Sequence, residues 1–134
     1  MNLSDRHYLT PLFEPAAVAI IGASERAGSI GTVLVANMRA ARYRGALFAV
    51  NPKHGRVQGV PCFPAIGQVP QRVDLAVIAT PPETVPQLMV ECGLAGVRAA
   101  VIITAGFGEA GVAGARLGRA VMDNARRHGV RVVG

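Results

Sequence analysis

The chain has 134 residues, 51% of them hydrophobic but only 4% aromatic, with no Trp and a formal net charge of +6. That length suits one domain with a core of Ala, Val, Ile and Leu, and no apolar run approaches the roughly 20 residues a membrane span needs. The fourteen basic residues, all arginine except Lys53, are scattered and not interleaved with aromatics, which argues against a nucleic-acid surface and for attraction of a small polyanion.

The first six residues contain no apolar signal region. Cys62 and Cys92 lack a metal-ligand spacing and are expected as free thiols in a cytoplasmic protein. Residues 7–15 read as a lead-in, with Tyr8, Leu9, Leu12 and Phe13 on one helical face. Ala17–Ile21 is an unbroken apolar run, as in a strand covered on both faces. Gly22-Ala23-Ser24 then turns the chain, and Gly28-Ser29-Ile30-Gly31 opens a helix over Ser29–Ala41. Its core-facing stripe is Ile30, Val33, Leu34 and Met38.

A second strand, Ala46–Val50, stops at Asn51-Pro52 because proline cannot continue a central ladder. The segment from Lys53 to Arg72 is irregular, with Val57–Val60 as one short edge strand and Ala65–Gln68 as a helical turn. Asp74–Ala79 is the next strand and ends at Thr80-Pro81-Pro82. A helix over Glu83–Leu94 accommodates Pro86 only in its first turn. Val85, Leu88, Met89 and Cys92 form its buried face. Ala99–Thr104 is a strand that runs into a second glycine turn. The helix Val112–His128 turns Leu117, Val121 and Ala125 inward and its arginines outward, and Val130–Val133 is the last strand. Domains seldom stop at the carboxyl edge of a parallel strand, so the expectation is an N-terminal fragment of a longer protein.

Strands alternating with helices predict a Rossmann-like, doubly wound α/β fold of three layers. Five to six parallel strands are expected, in the order 3-2-1-4-5-6. The order reverses beside the first strand, and a ligand crevice opens at the strand carboxyl ends there. Gly22–Gly31, Asn51–Lys53, Thr80–Pro82 and Thr104–Gly108 should converge on it.

The chemistry of these residues suits a phosphorylated ligand. Gly28-Ser29-Ile30-Gly31 lets phosphates approach a helix N-terminus, with its free N–H groups and partial positive charge. The spacing is not the strict G-x-G-x-x-G, so the loop is longer. A NAD site places an acid at the end of the second strand; here Asn51-Pro52-Lys53 offers a lysine instead. A lysine suits a phosphate on the adenosine ribose, as in NADP or coenzyme A, although a solvated loop lysine is the plain alternative. Pro81-Pro82 behind Thr80 makes a rigid wall, and Thr104-Ala105-Gly106 permits close backbone approach. Ser24 and Ser29 have no base partner and read as donors to phosphate. No acid pair is placed for acid–base work, so no catalytic residue and no metal set is assigned.

Taken in order, Val18-Ala19-Ile20-Ile21-Gly22-Ala23-Ser24, Gly28-Ser29-Ile30-Gly31, Val50-Asn51-Pro52-Lys53, Val73–Ile78, Glu91-Cys92-Gly93 and Thr104-Ala105-Gly106-Phe107 resemble the N-terminal CoA-binding domain of NDP-forming acyl-CoA synthetases. The succinyl-CoA synthetase alpha subunit is a more distant likeness. The same module fronts GNAT-type protein lysine acetyltransferases. The resemblance covers residues 10–134. It implies CoA or acyl-CoA as partner, with phosphates at Gly28–Gly31, the adenosine-end phosphate at Lys53, and Pro81, Pro82 and Thr104–Gly106 along the nucleotide or pantetheine. It also implies further domains in the same chain, one carrying the family's phosphorylated histidine; His7, His54 and His128 match no such motif. A homo-oligomer is compatible with it. The competing readings are an NADP-binding fragment of a reductase and a Rossmann interaction domain without ligand.

Overall fold

The computed structural model describes residues 15–23, 27–53, 55–103 and 111–133. The lead-in stripe, Ser24 and the Thr104-Ala105-Gly106 turn lie outside the described residues.

Strand β1 (Ala17–Ile21) is buried at all five positions. It lies between β2 (Ala46–Val50) and β5 (Leu75–Ile78), parallel to both. Cover on both faces is why the run shows no alternation. Asp74, just ahead of β5, fixes this register. Its Oδ2 accepts the backbone N–H groups of Ala16 at 2.8 Å and Ala17 at 3.2 Å.

Between β1 and β2 runs α1 (Ile30–Ala40), capped by Ser29. The buried residues of α1 are Gly31 and Val35, while Ile30 and Val33 are 52% and 47% exposed. The expected stripe is therefore rotated: Leu34 and Met38 pack inward, but its Ile30 and Val33 edge does not. Gly31 sets this rotation, because only a residue without Cβ fits against the β1 turn there.

The segment read as one edge strand is a hairpin of β3 (Arg56–Val57) and β4 (Val60–Phe63). Gln58 and Gly59 both take left-handed backbone angles, φ 50° and 79°, which suit a two-residue hairpin turn. β4 is parallel to β2. With β6 (Ala99–Ile102) and β7 (Arg131–Val133), the sheet has seven strands, ordered β3-β4-β2-β1-β5-β6-β7. The expected five to six rises to seven because the edge element doubles back. The reversal of order between β1 and β5 stands as expected.

The other face carries α2 (Val85–Leu94) and α3 (Gly111–His128). A 3₁₀ turn, Pro82–Thr84, precedes α2, and Pro86 lies in its first turn. Val85, Met89 and Cys92 are the buried stripe of α2. Gly114, Val121 and Ala125 are that of α3, with Leu117 half-buried. The two helices pass closely at Gly93, where a Cβ would overlap His128 Cβ and stand 2.9 Å from its carbonyl oxygen. This packing explains the glycine of the Glu91-Cys92-Gly93 motif. Burial pushes the Cys92 thiol up to about 12, with the neighbouring Glu91 charge adding to the effect. Both cysteines are free. Among the described residues no helix is long and apolar enough to cross a membrane, and no group of acids, His and Cys is placed to hold a metal.

Candidate functional site

The β1 strand ends at Gly22, whose N–H donates to the Val50 carbonyl at 3.0 Å. Gly22 has φ 95°, and a Cβ there would stand 2.9 Å from the Ala79 carbonyl oxygen. A Cβ on Gly31 would in turn overlap the Gly22 carbonyl oxygen. Two of the loop's three glycines thus bring strand end, neighbouring strand and helix into backbone contact. Gly28 differs. It has φ 78°, and among the described residues nothing lies within 4 Å of where its Cβ would be. The chain there needs glycine for its conformation.

That helix is α1. Its first turn contains no acid. Ser29 Oγ accepts the Thr32 N–H at 3.2 Å and lies 2.7 Å from Thr32 Oγ1. The Ser29 side chain therefore acts first as an N-cap, rather than as a free hydroxyl for phosphate. The N–H groups of Ile30 and Gly31 have no partner within the helix and are the donors an anion would meet.

Asn51 also has an architectural task. Its Nδ2 donates to the Ala23 carbonyl at 2.8 Å, and its Oδ1 accepts the Lys53 N–H at 2.8 Å. One side chain thereby ties the β1 turn to the β2 turn. Pro52 and Lys53 are exposed, and Ala23 is fully buried. Thr84 Oγ1 lies 2.7 Å from Thr80 Oγ1 and 2.6 Å from the Pro81 carbonyl oxygen, which closes the proline corner after β5.

These turns frame a crevice of about 480 Å³ at the carboxyl ends of β1, β2 and β5. Ile21 and Val50 form its floor, with Gly22, Asn51, Pro52 and Thr80 at the rim. Four expected site residues are thus brought together. Ala23, Gly28, Ser29, Ile30, Gly31, Lys53, Pro81 and Pro82 do not line this crevice, and Ser24 and Thr104–Gly106 lie outside the described residues. The sequence reading missed the far wall: Pro64, Ala65 and Ile66 after β4, Thr84 at the N-cap of α2, and Gln87, Leu88 and Glu91 on that helix. The α2 set was legible in principle. It falls at i, i+3, i+4 and i+7, one helical flank, beside the buried stripe.

A crevice at the reversal of strand order is where an open α/β sheet binds its ligand. The comparisons decide which family built it. The model of a CoA-binding domain family matches residues 16–134.

The chain belongs to the CoA-binding domain family.

This CoA-binding domain is 45% identical over 123 residues to the ADP-forming acetate–CoA ligase I of Archaeoglobus fulgidus, covering 92% of this chain and 18% of that protein. It is 37% identical to the alpha subunit of the ADP-forming acetate–CoA ligase I of Pyrococcus furiosus, covering 94% of this chain and 28% of the subunit. Among solved structures, it matches the apo dinucleotide-forming acetyl-coenzyme A synthetase 1 of Ca. Korarchaeum cryptofilum with a TM-score of 0.89. That match has 36% identity and covers 94% of this chain and 27% of that one. The chain thus spans under a third of the length of these relatives.

Proposed function

We propose that this CoA-binding domain serves a larger acyl-CoA synthetase of the ADP-forming acetate–CoA ligase kind, and that it holds CoA across the mouth described above. The observation that carries the reading is the combination of a crevice at the strand-order reversal with an acid-free helix N-terminus beside it. In this reading the ligand's phosphates face Gly28 and the N–H groups of Ile30 and Gly31. The exposed Lys53 ammonium meets the phosphate on the adenosine ribose. Ser24, Thr80, Pro81, Pro82 and Thr104–Gly106 border the nucleotide or the pantetheine arm. Asn51 holds the two turns in register rather than contacting the ligand first.

The domain's own work is binding and orientation. When bound, CoA supplies a thiol as the acyl acceptor. Activating the acyl group falls to residues elsewhere in the parent protein.

Calorimetric titration with CoA, 3′-dephospho-CoA, NADP and NAD tests this reading. CoA should bind, and loss of its 3′-phosphate should weaken binding about tenfold, the magnitude of one charged hydrogen bond at an exposed site. Lys53→Ala should give the same loss with CoA and none with 3′-dephospho-CoA. Tighter binding of NADP, or silence from all four ligands, would overturn the reading.

A further inference from the structure

Glu91 is the one charged side chain among the described lining of the crevice, and the fold makes no use of it. The floor is Ile21 and Val50, and Pro64, Ile66 and Leu88 line the sides. The polar groups of the rim are engaged with one another. Thr80 and Thr84 share a hydrogen bond, and the Asn51 amide ties the two turns together. Gln87 and Glu91 line the crevice as well. Their side chains have no hydrogen-bond or ion-pair partner among the described residues.

Glu91 stands inside the crevice rather than at its mouth. Helix α2 starts after the carboxyl end of β5 and must run back along the sheet, because β6 starts again parallel to β5. Glu91 is two turns beyond the N-cap residue Thr84, about 10 Å along the helix. Gln87 lies one turn nearer the mouth. Glu91 is half-buried. A carboxylate among apolar neighbours gains most from a hydrogen bond and repels a phosphate. A site built around such a group rejects an analogue that lacks the matching N–H.

We propose that Glu91 sets which base the site accepts: its carboxylate takes a hydrogen bond from the 6-amino group of the adenine of CoA. This assignment rests on the CoA reading above, in which the phosphate on the adenosine ribose meets Lys53. Lys53 directly follows Pro52 of the rim, and its N–H is held by Asn51, also of the rim. The base carried by that ribose therefore stands at the crevice mouth. The pyrophosphate is directed instead to Gly28 and the N–H groups of Ile30 and Gly31, outside the crevice. A flat, uncharged ring with an N–H edge matches apolar walls that carry a single carboxylate.

The test is calorimetric titration of the whole 134-residue chain with CoA and with etheno-CoA, whose bridged adenine has lost both 6-amino hydrogens. The parent should bind CoA about tenfold more tightly, the magnitude of one hydrogen bond to a charged acceptor at a half-exposed site. Glu91→Ala should lose about tenfold on CoA and nothing on etheno-CoA, which brings the two ligands within about twofold of each other. An unchanged urea midpoint shows that the variant is folded. A parent that binds both ligands alike would refute the assignment without any variant and leave the CoA reading standing. So would a Glu91→Ala protein that keeps the full preference for CoA, or one that binds 4′-phosphopantetheine more weakly than the parent does, which would put the pantetheine arm in the crevice. Silence of the parent towards CoA itself would sink the CoA reading, and this assignment with it.

Discussion

Replacing Gly31 by alanine puts a methyl group into the Gly22 carbonyl. The new Cβ would overlap that oxygen and stand 2.9 Å from its carbon and 3.1 Å from Ala23 Cα. Carbon atoms normally approach to about 3.5 Å, so the start of α1 must move roughly an ångström away from β1. Both sides are backbone, so no side chain can rotate aside. With no side chain to give way, the cost sits at the upper end of overpacking, about 3 kcal/mol, and alanine returns up to about 1 kcal/mol through helix propensity. The expected net loss is about 2 kcal/mol. At roughly 3–5 °C per kcal/mol for a domain of this size, the melting temperature falls by about 6–10 °C. Urea denaturation and calorimetry on Gly31→Ala measure it directly. Gly28→Ala is the control. It meets no described atom within 4 Å but keeps φ 78°, so it should cost only about 1 kcal/mol. A Gly31→Ala protein within about 0.5 kcal/mol of the parent, or less damaged than Gly28→Ala, would refute the assignment of close packing to Gly31.

Three further expectations follow the same logic. Asn51→Ala removes the two hydrogen bonds that clip the β1 and β2 turns; it should cost about 1–2 kcal/mol and weaken CoA binding while Lys53 remains, and an unchanged denaturation midpoint would show the clip to be idle. Asp74→Ala strips the carboxylate from the Ala16 and Ala17 N–H groups and should cost about 2–3 kcal/mol, the range for hydrogen bonds to a charged group, with faster amide exchange at the start of β1. Cys92 is raised from 9.0 to about 12, so the folded state favours the protonated thiol. Its contribution is complete below pH 9 and is lost as pH rises through 12. At about 1.4 kcal/mol per pH unit, stability should fall by about 2 kcal/mol between pH 9 and pH 10.5. Tyr43, raised by burial and then by the Asp74 charge, adds an alkaline loss of its own. The comparison is therefore urea denaturation of the parent and Cys92→Ala at pH 8 and 10.5: the variant should lose less, and equal losses would exclude Cys92 as the source.

The sequence by itself determined the layer plan and the position of the mouth. Apolar runs without alternation, such as Ala17–Ile21, can only be strands covered on both faces. Proline and glycine at 22, 52, 81 and 82 then mark where those strands must end. Because hydrophobic period and chain breakers are local properties, element type and order were legible residue by residue. The tertiary structure decided what depends on neighbours distant in sequence. It made Gly31 a packing residue and left Gly28 without a described neighbour at its Cβ, although the two read alike at the start of the helix. It turned Val57–Val60 from one strand into a hairpin through two left-handed residues, Gln58 and Gly59. It committed Asn51 and Ser29 to the scaffold, since their side chains found backbone partners first. It also gave the crevice its α2 wall, because the flank that α2 offers the mouth depends on how Val85, Met89 and Cys92 dock on the sheet. Long-range packing sets such choices, and no local spacing encodes it.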